Sequence, residues 1–246
     1  MVTEPRRTAG ALACGTLLAA AALAGCSSGG GSGTLYGSAK PSASPAATPK
    51  TTAWIQPSAI PLYATYHWPS PAKVGKPTKS PVLSAVQDCR LTLAGADQAE
   101  LGAFPAAQAD LSPTTGGSGG QDDWTAQETI LATGDTSSGD VQGIYSLYTD
   151  LVADLGRCAG TAPGAKVSVA VNQGSEYAAT ITVPTSTGST LTWHEYLAAP
   201  YGYLVELAVY VVPYSGDRPS ASWDGSAASG VLSALQAGPC AATKLC

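Results

Sequence analysis

Two glutamates, Glu195 and Glu206, stand in neighbouring strand-like segments, 190–198 and 203–212, separated by Ala199-Pro200-Tyr201-Gly202. If Pro200-Tyr201 forms the centre of a symmetric hairpin turn, Glu195 lies directly opposite Glu206. Period-two alternation then adds Trp193 and Tyr210 to the same face. Opposed carboxylates repel. Such a pair can hold a cation, accept hydrogen bonds from a sugar or peptide, or share a proton as an acid–base couple. The candidate ligand face is therefore Trp193, Glu195, Glu206 and Tyr210. On this arrangement Glu206→Gln relieves repulsion and raises stability slightly. His194 points to the other face, where it is a structural histidine.

No other constellation carries catalysis. The letters Gly-x-Ser-x-Gly occur at Gly116 to Gly120, inside a flexible glycine loop that lacks the strand–turn–helix needed to expose a nucleophile. Ser70-Pro71-Ala72-Lys73 lies in a proline-broken stretch without the partner motifs of a penicillin-binding enzyme. His194-Glu195 lacks the second histidine of a zincin, and no phosphate-binding or dinucleotide fingerprint is present. The expectation is no catalytic residue, no metal site and no cofactor. The alternative class is an envelope hydrolase using Glu195 and Glu206 as its carboxylate pair.

The first 26 residues carry an address. Arg6 and Arg7 precede a short apolar run from Ala9 to Leu23, and small residues lead directly to Cys26. This is the layout of a signal peptide over residues 1–25, too short for a spanning helix. Leu23-Ala24-Gly25-Cys26 resembles the lipobox of bacterial lipoproteins, which implies that Cys26 is lipidated and becomes the mature N-terminus. Several acyl chains on one residue hold a protein at a membrane where one chain would be marginal. The expected location is the outer face of the cell membrane, with the membrane as a partner through the lipid. The export route, general or twin-arginine, stays open. Removing residues 1–25 shifts the net charge from −5 to −6, because Arg6, Arg7 and Glu4 leave with them. An acidic chain has no electrostatic footprint for nucleic acid.

Four cysteines remain for the mature domain: Cys89, Cys158, Cys240 and Cys246. An even number in an exported chain predicts two disulfides. No pair has the short gap of a zinc knuckle, and the three connectivities stay open.

The elements that must position these residues follow from pattern. From 26 to 80 the chain reads as a tether: Ser, Gly, Ala, Thr and Pro dominate to about Ala53. After that, Tyr63, Tyr66, His67 and Trp68 stand among prolines in an extended stretch, packed on the domain or offered to envelope polymers. Residues 81–246 form the globular domain. A helix is predicted over 84–101. The clearest helix runs from Asp140 to Cys158, with Val141, Ile144, Tyr148, Leu151, Leu155 and Cys158 on one face. A weaker helix spans 224–237 and stops at Gly238-Pro239. Strands are predicted at 125–133, 166–171, 177–183, 190–198 and 203–212, joined by short turns. The fold class is α+β: an antiparallel β-sheet with helices packed on one face, stabilised by disulfides.

The succession from Asp123 onward, with Glu128-Thr129-Ile130-Leu131, the long helix ending Leu155-Gly156-Arg157-Cys158, several strands and a last helix before a terminal cysteine, resembles the PknH-like extracellular sensor domain of actinobacteria. The resemblance implies a disulfide-stabilised domain with a cleft for an unidentified ligand, on a chain without a kinase domain. The expected function is a membrane-anchored extracytoplasmic lipoprotein, non-enzymatic, that binds or senses a small ligand or an envelope protein. A third reading is a structural lipoprotein that touches envelope proteins through Tyr63 to Trp68.

Overall fold

The central strands are apolar on both of their faces, and that dictates the layering. In the strand Tyr203–Val211, Leu204 and Ala208 alternate with Val205, Leu207 and Val209, and all are buried. A strand that is hydrophobic at consecutive positions must be covered on both sides. The computed structural model describes residues 49–114, 123–134, 137–211, 219, 221–225 and 227–243. The segment 1–25 expected to be a signal peptide, Cys26, the glycines from Gly116 to Gly120 expected to form a loop, and Cys246 lie outside the described residues.

In chain order the described elements are α1 (Tyr63–Tyr66), α2 (Pro71–Val74), β1 (Lys76–Thr78), α3 (Ser84–Asp88), α4 (Gly95–Ala103), β2 (Ala106–Leu111), β3 (Thr125–Ala132), α5 (Ser138–Gly156), α6 (Cys158–Thr161), β4 (Lys166–Gln173), β5 (Glu176–Pro184), β6 (Thr190–Ala198), β7 (Tyr203–Val211) and α7 (Ala228–Thr243). The strands form one antiparallel sheet in the order β1-β2-β3-β7-β6-β5-β4. The α+β class is as expected. The helices divide between the two faces: Ile144, Leu147, Leu151 and Leu155 of α5 pack with Trp193, Leu197 and Leu204, whereas Val231, Leu232 and Leu235 of α7 pack with Val205, Leu207 and Val209.

The tether boundary expected at residue 80 is overturned. Ala53, Trp54, Ile55, Ile60, Leu62, Tyr66 and Trp68 are core residues on the α7 side. Segment 49–74 is a strap across that face. Tyr66 and Trp68 are withdrawn from any contact with envelope proteins, because they are buried against each other and the indole of Trp68 donates to Pro61 O at 2.6 Å, whereas Tyr63 is half-buried and His67 exposed. Lys50 Nζ donates to Ala242 O at the end of α7.

The predicted helix over 84–101 is two helices. Cys89 ends α3 and is bridged to Cys158, the first residue of α6, while Arg90 adopts a left-handed backbone at φ 53°. Both constraints stop the helix before α4 begins. Cys240 is disulfide-bonded as well. The helix expected over 140–158 starts slightly earlier, capped by the Ser137 hydroxyl, which accepts from Asp140 N at 3.3 Å. Strands β1 and β2 carry little β propensity, being Lys-Pro-Thr and Ala-Ala-Gln-Ala-Asp-Leu, and periodicity alone misses them.

Helix α7 does not stop at Gly238-Pro239 but continues through Pro239 to Thr243. Proline removes one helical hydrogen bond, and here its buried ring joins the packing while Thr243 Oγ1 donates to Pro239 O at 3.0 Å. Gly238 is where the strap crosses: a Cβ there would lie 2.5 Å from Ala53 O and 2.8 Å from Ala53 C. Gly230, in the same helix, has open space at that position. Replacing helical glycine by alanine ordinarily stabilises by about 1 kcal/mol. Chemical denaturation of the two variants should therefore give opposite signs, with Gly230→Ala more stable than wild type and Gly238→Ala less stable because the strap backbone must move. A stabilised Gly238→Ala would show that the strap does not press on α7.

Candidate functional site

The structure brings Glu195, Glu206 and Trp193 together, but inside the molecule. All three are 0% exposed, beneath α3 and α5. The register differs from expectation by two residues: Leu197 pairs with Glu206 and Glu195 with Ala208. The turn centres on Tyr201-Gly202, with Tyr203 N bonded to Pro200 O at 2.8 Å, because Gly202 supplies the positive φ of 72° that the third turn position takes. A two-residue shift keeps both glutamates on one face and makes them diagonal neighbours, still within side-chain reach. Tyr210 stands opposite Trp193, half-buried, and gives neither carboxyl a hydrogen bond.

The two carboxyls touch, and their surroundings decide which holds the proton. Glu206 accepts backbone N–H groups from Ser84 and Ala85, each at 3.1 Å. Glu195 accepts the Trp193 indole N–H at 3.1 Å, and its Oε1 has no donor facing it. Burial raises both above the usual carboxylate range. Glu206 is held back by the two N–H groups of α3, whereas Glu195 is pushed further by the neighbouring Glu206 charge. Glu195 is thus the protonated member and donates to Glu206. Asp88, itself pushed up to about 6 by burial, adds negative charge beside both. This is an internal clamp on α3. The ligand face assigned to Trp193, Glu195, Glu206 and Tyr210 is overturned, since water and ligand do not reach the carboxyls, and so is the carboxylate-pair hydrolase, which needs a cleft between them.

Glu128 repeats the arrangement on the opposite face. It is fully buried, and its Oε1 accepts Ile55 N of the strap at 3.0 Å. Burial raises its pKa to about 8, partly offset by that hydrogen bond, so it is neutral at physiological pH. Sequence reasoning missed this role because nothing in Glu128-Thr129-Ile130-Leu131 shows that a distant loop will cover it.

An open cavity lies on the strap and α7 side. It has a volume of about 290 Å³ between β4, β5, β6 and the start of α7, lined by Thr180, His194, Tyr196, Trp223 and alanines that include Ala178 and Ala227. His194 faces here, as its alternation with Trp193 and Glu195 requires. Its Nδ1 is 2.9 Å from Thr180 Oγ1, its cross-strand neighbour. Trp223 stacks on the imidazole at 3.4 Å and 8°, and Trp124 lies tilted beside both rings. Burial lowers the His194 pKa to about 4, against the opposing pull of Asp224. Tyr196 is raised by burial and by Asp224. At neutral pH the imidazole is uncharged and the phenol protonated. Trp223 and Gly225 come from a segment without periodicity, so no pattern places them. Thr180 and Tyr196 share the His194 face by cross-strand pairing and by alternation, which the strand pattern makes legible.

A second depression of about 380 Å³, between the start of α5 and the β6–β7 turn, is lined chiefly by Val141, Ile144, Tyr145, Pro200 and Tyr201. Ser138 and Gln142 also line it, and its exposed surface is more apolar than that of the cavity over His194. No group of three or more His, Cys, Asp or Glu among the described residues could hold a metal ion, and no described helix is long and apolar enough to cross a membrane. Comparison of the chain with family models, with curated proteins and with solved structures finds no match in any of the three.

The clamp makes a stability prediction with a definite sign. Glu195 and Glu128 are raised above the ordinary glutamate value of 4.5 in the folded state. Their contribution is complete below that value and is lost as pH rises, through about 8 for Glu128. The slope is at most about 1.4 kcal/mol per pH unit for each group. Urea melts of Glu195→Gln, which keeps a donor to Glu206, should match wild type near pH 5 and exceed it at pH 9. Glu206→Gln should lose about 1–3 kcal/mol at every pH, because its amide presents N–H to N–H at α3. A stabilised Glu206→Gln would restore the simple repulsion of opposed carboxylates and remove the clamp.

Proposed function

We propose that the protein is a lipid-anchored extracytoplasmic binding or sensor domain, non-enzymatic, whose ligand enters the cavity over His194. The observation that carries the reading is a division of labour between polar groups. The carboxyl pair suited to acid–base chemistry is sealed in the core, while the open cavity is lined by an uncharged histidine, a threonine and a tyrosine. Concave sites with a few converging polar groups on apolar walls are the usual form of a small-molecule site.

Catalysis at the cavity is disfavoured on chemical grounds. Thr180 and His194 form a hydroxyl–imidazole pair, but a base whose pKa is lowered to about 4 draws a proton from an alcohol weakly. The signal layout ending at Leu23-Ala24-Gly25-Cys26 supports lipidation at Cys26 and a place on the outer face of the membrane. The sequence resemblance to the PknH-like sensor domain suits a sensor lipoprotein that passes its state to a separate partner.

Two measurements test the proposal. Metabolic labelling with a fatty acid should mark the wild-type protein and not Cys26→Ser, which should leave the membrane fraction. The melting temperature of the full chain should rise with a compound among envelope-derived metabolites and glycans, since a ligand of the folded state stabilises it. That rise should vanish in His194→Ala and persist in Glu195→Gln. A shift lost in Glu195→Gln and kept in His194→Ala would move the site back to the carboxyls.

A further inference from the structure

Resting on the reading of this cavity as the ligand site, we infer that its ligand is an uncharged sugar ring. Three residues with hydroxyl or imidazole side chains line the cavity, Thr180, His194 and Tyr196, and the first two are bonded to each other at 2.9 Å. Each donates or accepts a hydrogen bond according to its partner, and none carries charge at neutral pH. Sugar hydroxyls have the same dual character. A phosphate or carboxylate needs cations or a row of donors, and an ammonium, though the Asp224 charge favours it, offers donors alone and leaves the O–H groups of these residues unmatched. The lining contains neither Lys nor Arg. The charge that both His194 and Tyr196 feel is that of Asp224, which repels anions. Its Oδ2 accepts the Leu62 backbone N–H at 3.0 Å.

A wholly apolar ligand fits no better, because beyond the Thr180–His194 bond these residues keep hydrogen-bonding capacity that it would leave unused. The remaining lining is alanine, at 170, 178, 179, 227 and 228, with the Trp223 indole. These are low apolar walls for the C–H faces of a ring. His194 and Tyr196 are two residues apart on β6, so their side chains stand about 7 Å from each other along the strand, the span of substituents across one ring. About 290 Å³ lies at the small end of ligand pockets, roughly 300–1,000 Å³, which fits a single ring. Gly225 and Ala227 at the rim are exposed, so a glycan can continue outward from the bound unit.

The test is a titration of the full chain, in detergent, with glucose, N-acetylglucosamine and a disaccharide of each, beside phosphate and ethanolamine. Tryptophan fluorescence is the readout, since Trp223 and Trp124 lie at the site. Saturable quenching by a sugar alone is expected. Thr180→Val should weaken it about tenfold by removing one hydroxyl. Ala227→Phe, an exposed rim position outside the core, should abolish it while leaving the circular dichroism spectrum unchanged. Quenching by phosphate or ethanolamine that Ala227→Phe abolishes would overturn the sugar and keep the cavity. Sugar binding unaffected by Ala227→Phe would overturn both. No saturation by any sugar at the highest soluble concentration would overturn the inference, leaving the cavity to be judged by the melting experiments.

Discussion

Carboxyl oxygens buried in the sheet grip backbone N–H groups of the segments that cover it, and the layering depends on that grip. Glu206 of β7 takes the first two N–H groups of α3 on one face, and Glu128 of β3 takes Ile55 N of the strap on the other. The free N–H groups at the start of a short helix need partners when buried, and a loop crossing a core has the same need. Supplying them from within the sheet lets irregular chain lie on apolar surface. The expense is desolvation of three glutamates, which the protein limits by leaving Glu128 and Glu195 protonated.

The clamp also explains why the disulfide lies where it does. α3 has only five residues and does not hold itself in shape. Glu206 fixes its beginning, and the Cys89–Cys158 bridge fixes its end to the segment after α5. Thr161 Oγ1 adds a bond to Cys89 O at 2.6 Å. Between these anchors α3 closes the compartment in which Glu195 and Glu206 share a proton. Covalent and electrostatic fastening thus meet on one five-residue helix.

Much of this was legible in the sequence wherever one physical signal dominated. Strands β3 to β7 stood out through β-branched and aromatic alternation, and α5 through the spacing of Ile144, Tyr148, Leu151 and Leu155. The coincidence of Glu195 and Glu206 on one face was readable too, because a register error of two residues preserves the face. Their burial was not, since the pattern of one strand does not show what covers it. The strap shows the reverse difficulty. Proline and small residues around Trp54 and Ile60 gave it the composition of a linker, yet its scattered apolar side chains fill the space between sheet and α7. The sheet's second apolar face, in Val205, Leu207 and Val209, was the available sign that something had to fill it.

The same reasoning accounts for the polar opening on that face. The strap and α7 cover the sheet around β3 and β7, where Val205, Leu207 and Val209 demand it. Toward β5 and β4 the face changes character: Thr180 and Thr182 stand where a core would need larger apolar groups, and β4 is mostly exposed. Helix α7 begins only at Ala228, and the residues just before it are small apart from Trp223 and Asp224. Trp223 fills part of the gap by stacking on His194, and alanines leave the rest empty. A larger side chain at Ala178, Ala227 or Ala228 would close the gap by ordinary packing. The opening therefore arises from a run of small residues set beside converging hydroxyl and imidazole groups, an arrangement that core packing alone does not require.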